Sequence, residues 1–172
     1  MSKSQTLDIR RLATIALMGA LIFVLTALPR IPTPVGGYIH LGDVGITFAS
    51  LAFGPWVAAI AGGLGTALAD VSGGYAQWAI FSLLTHGLQG WAMGVIVRNE
   101  ERVVQLGLAV VVSILIVTGG YFVAGTILVG LGVAVSEIGF NVVQALSGGL
   151  VGVPLYLAVK RAYPPISQYR ES

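Results

Sequence analysis

The stretch EIGFNVVQALSGG carries the sharpest chemical pattern in this chain. Glu137, Asn141, Gln144 and Gly148 are spaced by four, three and four, which on a helix places them on one face. A carboxylate and two amides in line can read the hydrogen-bonding edge of a ligand, or can join one helix to another. THGLQ repeats the theme on a smaller scale. His86 and Gln89 lie three apart and share a face, either as ligand contacts or as an internal hydrogen-bonded pair. GGYIHLGD gathers Tyr38, His40 and Asp43 beside paired glycines. Asp43 has a plain structural role open to it, as N-cap of the helix that follows. In the company of His40 it also has the makings of a ligand contact. TALADVSGGYAQW adds Asp70, Tyr75 and Trp78. An acid near a helix C-terminus opposes the helix dipole, so Asp70 needs a partner, water or a ligand. Tyr75 and Trp78 read equally as an interfacial aromatic belt and as stacking surfaces.

What is missing narrows the chemistry. The chain has no cysteine, which removes disulfides, thiolate metal sites and cysteine nucleophiles. GGLGTALAD is glycine-rich but lacks the Lys-Ser/Thr ending of a phosphate loop, so no ATPase motif is present and ATP hydrolysis by this chain is not expected. No paired-acid or Ser/His/Asp spacing of catalytic type occurs. His40 and His86 are far apart in sequence and form no metal motif, so neither a metal nor a cofactor is expected.

The elements that position these residues are hydrophobic. The chain is 172 residues long, 56% hydrophobic and only 9% charged. Its mean hydropathy is +0.89. Ordinary soluble domains carry about 25% charged residues, so an all-α integral membrane protein of one domain, 1–172, is expected. Six apolar segments follow, near 12–28, 44–53, 55–71, 78–97, 103–129 and 137–159. The first reads as a retained helix rather than a cleaved signal. Segments two and three are short and read as one kinked hairpin about FGPW. A glycine-rich stretch, VGLGVAVS, is expected to link five and six. With six spans and both termini cytoplasmic, the inner side collects Lys3, Arg10, Arg11, Arg98, Arg102, Lys160, Arg161 and Arg170, while the outer side keeps Arg30 alone. The net charge of +2 is therefore topological and gives no reason to expect nucleic acid. His40, Asp43, Asp70, Tyr75, Trp78 and Glu137 all fall at the outer side. Asp43, Glu137 and His40 would sit at the mouth of a vestibule, with Asn141, Gln144, His86 and Gln89 reading polar edges.

Helix one shows ALMGA, in which Ala16 and Ala20 form a small-xxx-small pair permitting close approach of another helix. With this pair, about six spans in so short a chain, GGYIHLGD leading into FGPWVAAIAGGLGTALAD, and FNVVQAL, the sequence resembles the substrate-binding S components of energy-coupling factor (ECF) vitamin transporters. The resemblance covers nearly the whole chain. It points to the branch for riboflavin, hydroxymethylpyrimidine, pyridoxine and related vitamins. It implies a six-transmembrane-helix bundle in the cell membrane that binds a vitamin near the outer face, between helices four to six and under loops one, three and five. It also implies that Ala16 and Ala20 pack on a transmembrane coupling protein, with two ATPase subunits driving uptake by toppling of the S component. The N-terminus MSKSQ lacks the Met-His start of nickel and cobalt members. The acidic outer face suits a neutral or cationic flat ligand, such as a thiamine precursor, a pyridoxine-like compound or riboflavin, with Trp78, Tyr75 and Tyr121 to stack on it. The alternatives are an intramembrane enzyme, a small channel, or an S component for a larger vitamin such as cobalamin.

Overall fold

The computed structural model describes residues 3–33, 37–98 and 101–170. The sequence also marks Gly36 and Gly37 of GGYIHLGD as points of loop movement; Gly36 lies outside the described residues. Helix α1 (Lys3–Ala27) leads to a short ribbon in which β1 (Ile31–Pro32) pairs antiparallel with β2 (Tyr38–Ile39). Five helices follow: α2 (Gly42–Phe53), α3 (Pro55–Ser72), α4 (Ala79–Ile96), α5 (Val103–Leu128) and α6 (Leu131–Ala162). A 3-10 segment, Pro164–Arg170, closes the described chain.

The protein is an all-α membrane protein. Among the described residues, four helical stretches are long and apolar enough to cross a bilayer: Ile9–Ala27, Ala79–Ile96, Val103–Leu128 and Leu131–Ala162. Their outward faces carry large apolar side chains such as Leu17, Leu115 and Ile127. α2 is of another kind. Its 12 residues rise only about 18 Å against a hydrocarbon core of roughly 30 Å. Most of its residues are buried, and it touches α1, α3, α4 and α6. It is the central helix around which the others close. A single residue, Gly54, joins it to α3. Its φ of 84° is one that side chains with a Cβ rarely adopt, and Pro55 then starts α3 without a missing bond.

The link between α5 and α6 departs from the expected glycine-rich loop. The break is only Val129 and Gly130, with Gly130 at φ 96°, and α6 begins at Leu131. One left-handed glycine suffices to reverse the chain, and the remainder of VGLGVAVS continues as helix packed on α5. Glu137 is therefore inside α6 rather than at its start. Small residues let the core close tightly: Ala49, Ala58 and Ala61 pack with Met18, Ile22 and Ile46.

Because successive helices run up and down, the ribbon, the α3–α4 turn and the α5–α6 turn share one end. The α2–α3 turn, the α4–α5 loop and the C-terminal segment share the other. That second end is tied by Glu101, which accepts from Tyr156 Oη at 2.7 Å and from Lys160 and Arg170. Arg170 Nη1 also donates to Val97 O at 2.9 Å. Burial pushes the Glu101 carboxyl up, but the bonds from Lys160, Tyr156 and Arg170 outweigh it and hold the group below the usual carboxylate range.

Candidate functional site

A cleft opens at the ribbon end, with about 610 Å³ of empty space counted out to open solvent. The first loop provides Gly37, Tyr38 and His40, and the α3–α4 turn provides Tyr75 and Trp78. Asp70 of α3, Ser82 of α4 and Tyr121 of α5 line it from the bundle side. α6 gives Glu137, Asn141 and Gln144, at the helical spacing that puts them on one face. Gly125, Val129, Val133 and Ala134 make an apolar wall.

Each polar member has a structural reason for its position. Thr33 donates to Glu137 Oε1 at 2.6 Å and accepts from the Gly37 N–H at 3.0 Å, so the ribbon is tied to α6. The His40 backbone N–H donates to Gln144 Oε1 at 3.2 Å, which leaves the Gln144 amide nitrogen for other partners. Asp70, uncomfortable near a helix C-terminus, accepts from Tyr38 Oη and, at 2.5 Å, from Ser82 Oγ. Arg30 caps the same helix end: its Nη2 donates to Ala69 O at 2.7 Å, while its guanidinium lies 5.3 Å from the Tyr38 ring centroid. Aromatic faces crowd the opening. Tyr38 and Tyr75 have ring centroids 4.9 Å apart, and Trp78 and Tyr121 are 6.2 Å apart. Burial and then the Asp70 carboxylate push the Tyr38 hydroxyl up, so it is a donor throughout the physiological range.

Of the residues singled out in the sequence, His40, Asp70, Tyr75, Trp78, Tyr121, Glu137, Asn141 and Gln144 line the cleft. Asp43, His86 and Gln89 do not. They lie deeper, buried, in a hydrogen-bonded set beneath it. Two readings need correcting here. Asp43 is not the N-cap of α2: that position is Leu41, with no side-chain cap bond, and the Asp43 carboxylate instead accepts from Gln89 Nε2 at 2.5 Å. Nor is Asp43 at a mouth, since it is 1% exposed and its Oδ2 has no partner. Gly148 explains its depth. A Cβ there would overlap the Asp43 side chain, so only glycine lets α6 close over it. The sequence reading also underrated Tyr38 and Ser82. Ser82 is four residues before His86 and seven before Gln89, the helical spacing that marks one polar stripe.

The histidines, far apart in the chain, are neighbours in space, with ring centroids 5.5 Å apart. With Asp43 they bring donor atoms within 4.8 Å of one another. Their hydrogen bonds, however, oppose a metal cage. His40 Nδ1 accepts from the Gly42 N–H at 3.1 Å, which puts the His40 proton on Nε2. Gln89 Nε2 donates to Asp43 and, at 2.8 Å, to Ser113 Oγ, so its Oε1 faces His86 Nδ1 at 2.7 Å and accepts a hydrogen bond from its N–H. Gly42 thus occupies one nitrogen of the His40 ring, and Gln89 one nitrogen of the His86 ring. Burial, with smaller contributions from His86 and Arg30, lowers His40 to about 4 against the opposing pull of Asp43, so its ring is neutral at physiological pH.

The exposed edge of α1 is separate from the cleft. Ala16 and Ala20 are both exposed there, while Met18 and Ile22 turn into the core.

Comparison with known proteins agrees with this architecture. The family model for the S component of ECF-type riboflavin transporters matches residues 6–161. A protein of Pyrococcus woesei, described as an uncharacterized protein in the gap 3′ region, is 37% identical over 146 residues, covering 84% of this chain and 98% of that protein. The thiamine precursor transporter HmpT of Lactococcus lactis subsp. cremoris (strain MG1363) is 35% identical over 156 residues, covering 90% of each chain. The chain therefore belongs to the ECF transporter S-component family, and it is a membrane transport subunit for vitamin uptake rather than an enzyme.

Proposed function

We propose that the cleft at the ribbon end is the vitamin site and that it captures a small, flat, neutral or cationic ring compound. A thiamine precursor, a pyridoxine-like compound or riboflavin would fit this description. The observation that carries the reading is the composition of the cleft: aromatic faces on one side, and Glu137, Asn141 and Gln144 in line on the other. A planar heterocycle would stack against Trp78 and Tyr75 and offer its polar edge to α6. Such a face attracts a ring cation by about 0.5–2 kcal/mol. The L. lactis relative, named for a thiamine precursor, supports that end of the list.

In this reading the helices make six spans across the cell membrane, α2 being the short interior one, joined to α3 through Gly54. Both termini are cytoplasmic, following the basic residues. The cleft then faces outside, and the chain is the substrate-capture subunit of an ECF-type ABC importer. Ala16 and Ala20, exposed on α1, dock against the transmembrane coupling protein, and two ATPase subunits complete the complex. Cells expressing the chain with and without a coupling module test this through labelled-vitamin uptake. Ala16→Trp with Ala20→Trp is expected to abolish uptake while the purified variant still binds vitamin. Unchanged uptake by that variant would remove α1 from the docking face.

A further inference from the structure

One continuous chain of hydrogen bonds runs from the rim of the cleft to the centre of the bundle. Tyr38 Oη and Ser82 Oγ meet the two oxygens of Asp70. Ser82 Oγ lies 2.7 Å from Tyr121 Oη, which lies 3.1 Å from His86 Nε2. His86 Nδ1 meets Gln89, which in turn meets Asp43 and Ser113.

The protons in this chain can be counted. Seven hydrogen bonds each need one proton. With both carboxylates ionised and His86 neutral, Tyr38, Ser82, Tyr121 and His86 give one each and Gln89 gives two, which makes six; the Ser113 proton does not add to these, because Ser113 accepts from Gln89 in its one bond to the network. Ser82 shows the difficulty. Its single proton cannot serve both Asp70 and Tyr121. If it goes to Asp70, the Tyr121 proton must go to Ser82, and His86 must then donate from both nitrogens. If it goes to Tyr121, Asp70 must itself be protonated. Turning the Gln89 amide over does not close the gap. Asp43 would then face the amide oxygen and would have to be the donor.

We propose that this network is a proton-binding site: it holds one dissociable proton beyond the ionised carboxylates and neutral imidazole, shared by Asp70 and His86 through the hydroxyls of Ser82 and Tyr121, or held on Asp43 when the Gln89 amide is turned over. The proton passes along the wire by exchange of covalent and hydrogen bonds at each hydroxyl, with no side chain moving. The surroundings favour keeping it. His86 Nδ1 is 3.6 Å from Asp43 Oδ1, and the Asp43 oxygen without a partner is buried beside them. The other charged or titratable groups on the packed elements are Tyr38, Arg30 and His40 from the first loop, Tyr75 from the α3–α4 turn, and Glu137 from α6. Without the extra proton, two carboxylates would share this low-dielectric space with Arg30, on the Asp70 side, as the cation nearby. Asp70, Ser82, Tyr38 and Tyr121 line the cleft, so a cationic ligand bonded to Asp70 would take the place of that proton, which leaves to solvent. This last step rests on the vitamin reading above. The proton count does not.

The test is infrared difference spectroscopy on the full chain in lipid nanodiscs, with ¹⁵N-histidine magnetic resonance on a His40→Gln background that leaves His86 as the single imidazole. At neutral pH the wild type is expected to show either a protonated carboxylic acid or a His86 imidazolium. Ser82→Ala and Tyr121→Phe should each lose that signal, because removing either hydroxyl leaves as many donors as bonds. Absence of both signals in the wild type, or their persistence in both variants, would overturn the proposal; persistence would assign the proton to burial of one carboxyl alone. Should a variant fail to fold, the wild-type spectrum alone still decides whether the extra proton exists. Calorimetry with thiamine as a cationic probe, in two buffers of different ionisation enthalpy, adds the ligand step. A buffer-dependent heat reporting proton release is expected, and buffer-independent binding would contradict the exchange. If thiamine does not bind at all, the vitamin reading is what suffers, and the spectra still decide the shared proton.

Discussion

At the C-terminal end of α4, Glu101 is met by Lys160, Arg170 and the Tyr156 hydroxyl. At the N-terminal end of the same helix, Asp70 is met by two hydroxyls, Tyr38 and Ser82, and Asp43 by one amide. Both regions bury carboxylates, yet only the first closes its own charge. Glu101 has cations in direct contact, and its bonds staple the C-terminal segment to the α4–α5 loop. The ribbon end spreads acids, amides and aromatic faces around a cleft and leaves bonding capacity open. A cluster that satisfies itself holds the fold. A cluster left open at a cavity is free to satisfy a ligand.

Substitutions separate the two regions. The largest effect is expected from Glu101→Ala, which strands Arg170 and Lys160. Glu101 is half-buried and loses charge-assisted hydrogen bonds to three partners, a cost of about 3 kcal/mol, so thermal denaturation should shift clearly while vitamin affinity stays as it was. An unchanged melting temperature would mean that the cluster is not a staple. Gly148→Ala should follow, at about 2 kcal/mol, because the new Cβ presses on Asp43 and overpacking carries that order of penalty. Here both stability and binding should fall, since Asp43 lies beneath the cleft. Gln144→Ala and Asn141→Ala are expected to weaken binding about tenfold, near 1.4 kcal/mol; Asn141→Ala should leave the melting temperature nearly unmoved, whereas Gln144→Ala should also lower it, by about 1 kcal/mol of stability, because the His40 N–H loses its acceptor. A stability loss without a binding loss would turn α6 into a helix-joining face.

Acid should resolve the regions in the opposite order. His40 titrates near 4 in the fold and near 6.5 when exposed. Between those values the unfolded chain binds more protons, so stability contributed by a neutral His40 is lost as the pH falls from about 6.5 towards 4. Glu101 is held below its ordinary value of 4.5, so its contribution persists above that point and is lost only as the pH falls through the lower folded value. Melting curves across this range should show two descents. His40→Gln should flatten the first and leave the second in place.

The helices were legible because long apolar runs and proline-glycine punctuation are local. α2 kept its expected limits nearly unchanged, and Gly54-Pro55 marked its end. VGLGVAVS misled because five of the eight residues are valine, alanine or leucine and extend a helix once packing asks for it, while only Gly130 takes a left-handed turn. The α6 stripe was readable from spacing alone. The depth of Asp43 was not, because it depends on Gly148, more than a hundred residues later, letting two backbones approach. The meeting of His40 with His86 had the same cause: neither periodicity nor spacing reports a tertiary contact.

The account stands most directly on whether the cleft binds a vitamin through α6. Calorimetry of the purified chain against thiamine, hydroxymethylpyrimidine, pyridoxine and riboflavin, repeated with Gln144→Ala, measures this. Binding of one of them at about micromolar or tighter, lost about tenfold in the variant, is the predicted result. No binding below about millimolar by any of the four, or equal affinity in wild type and variant, would contradict it.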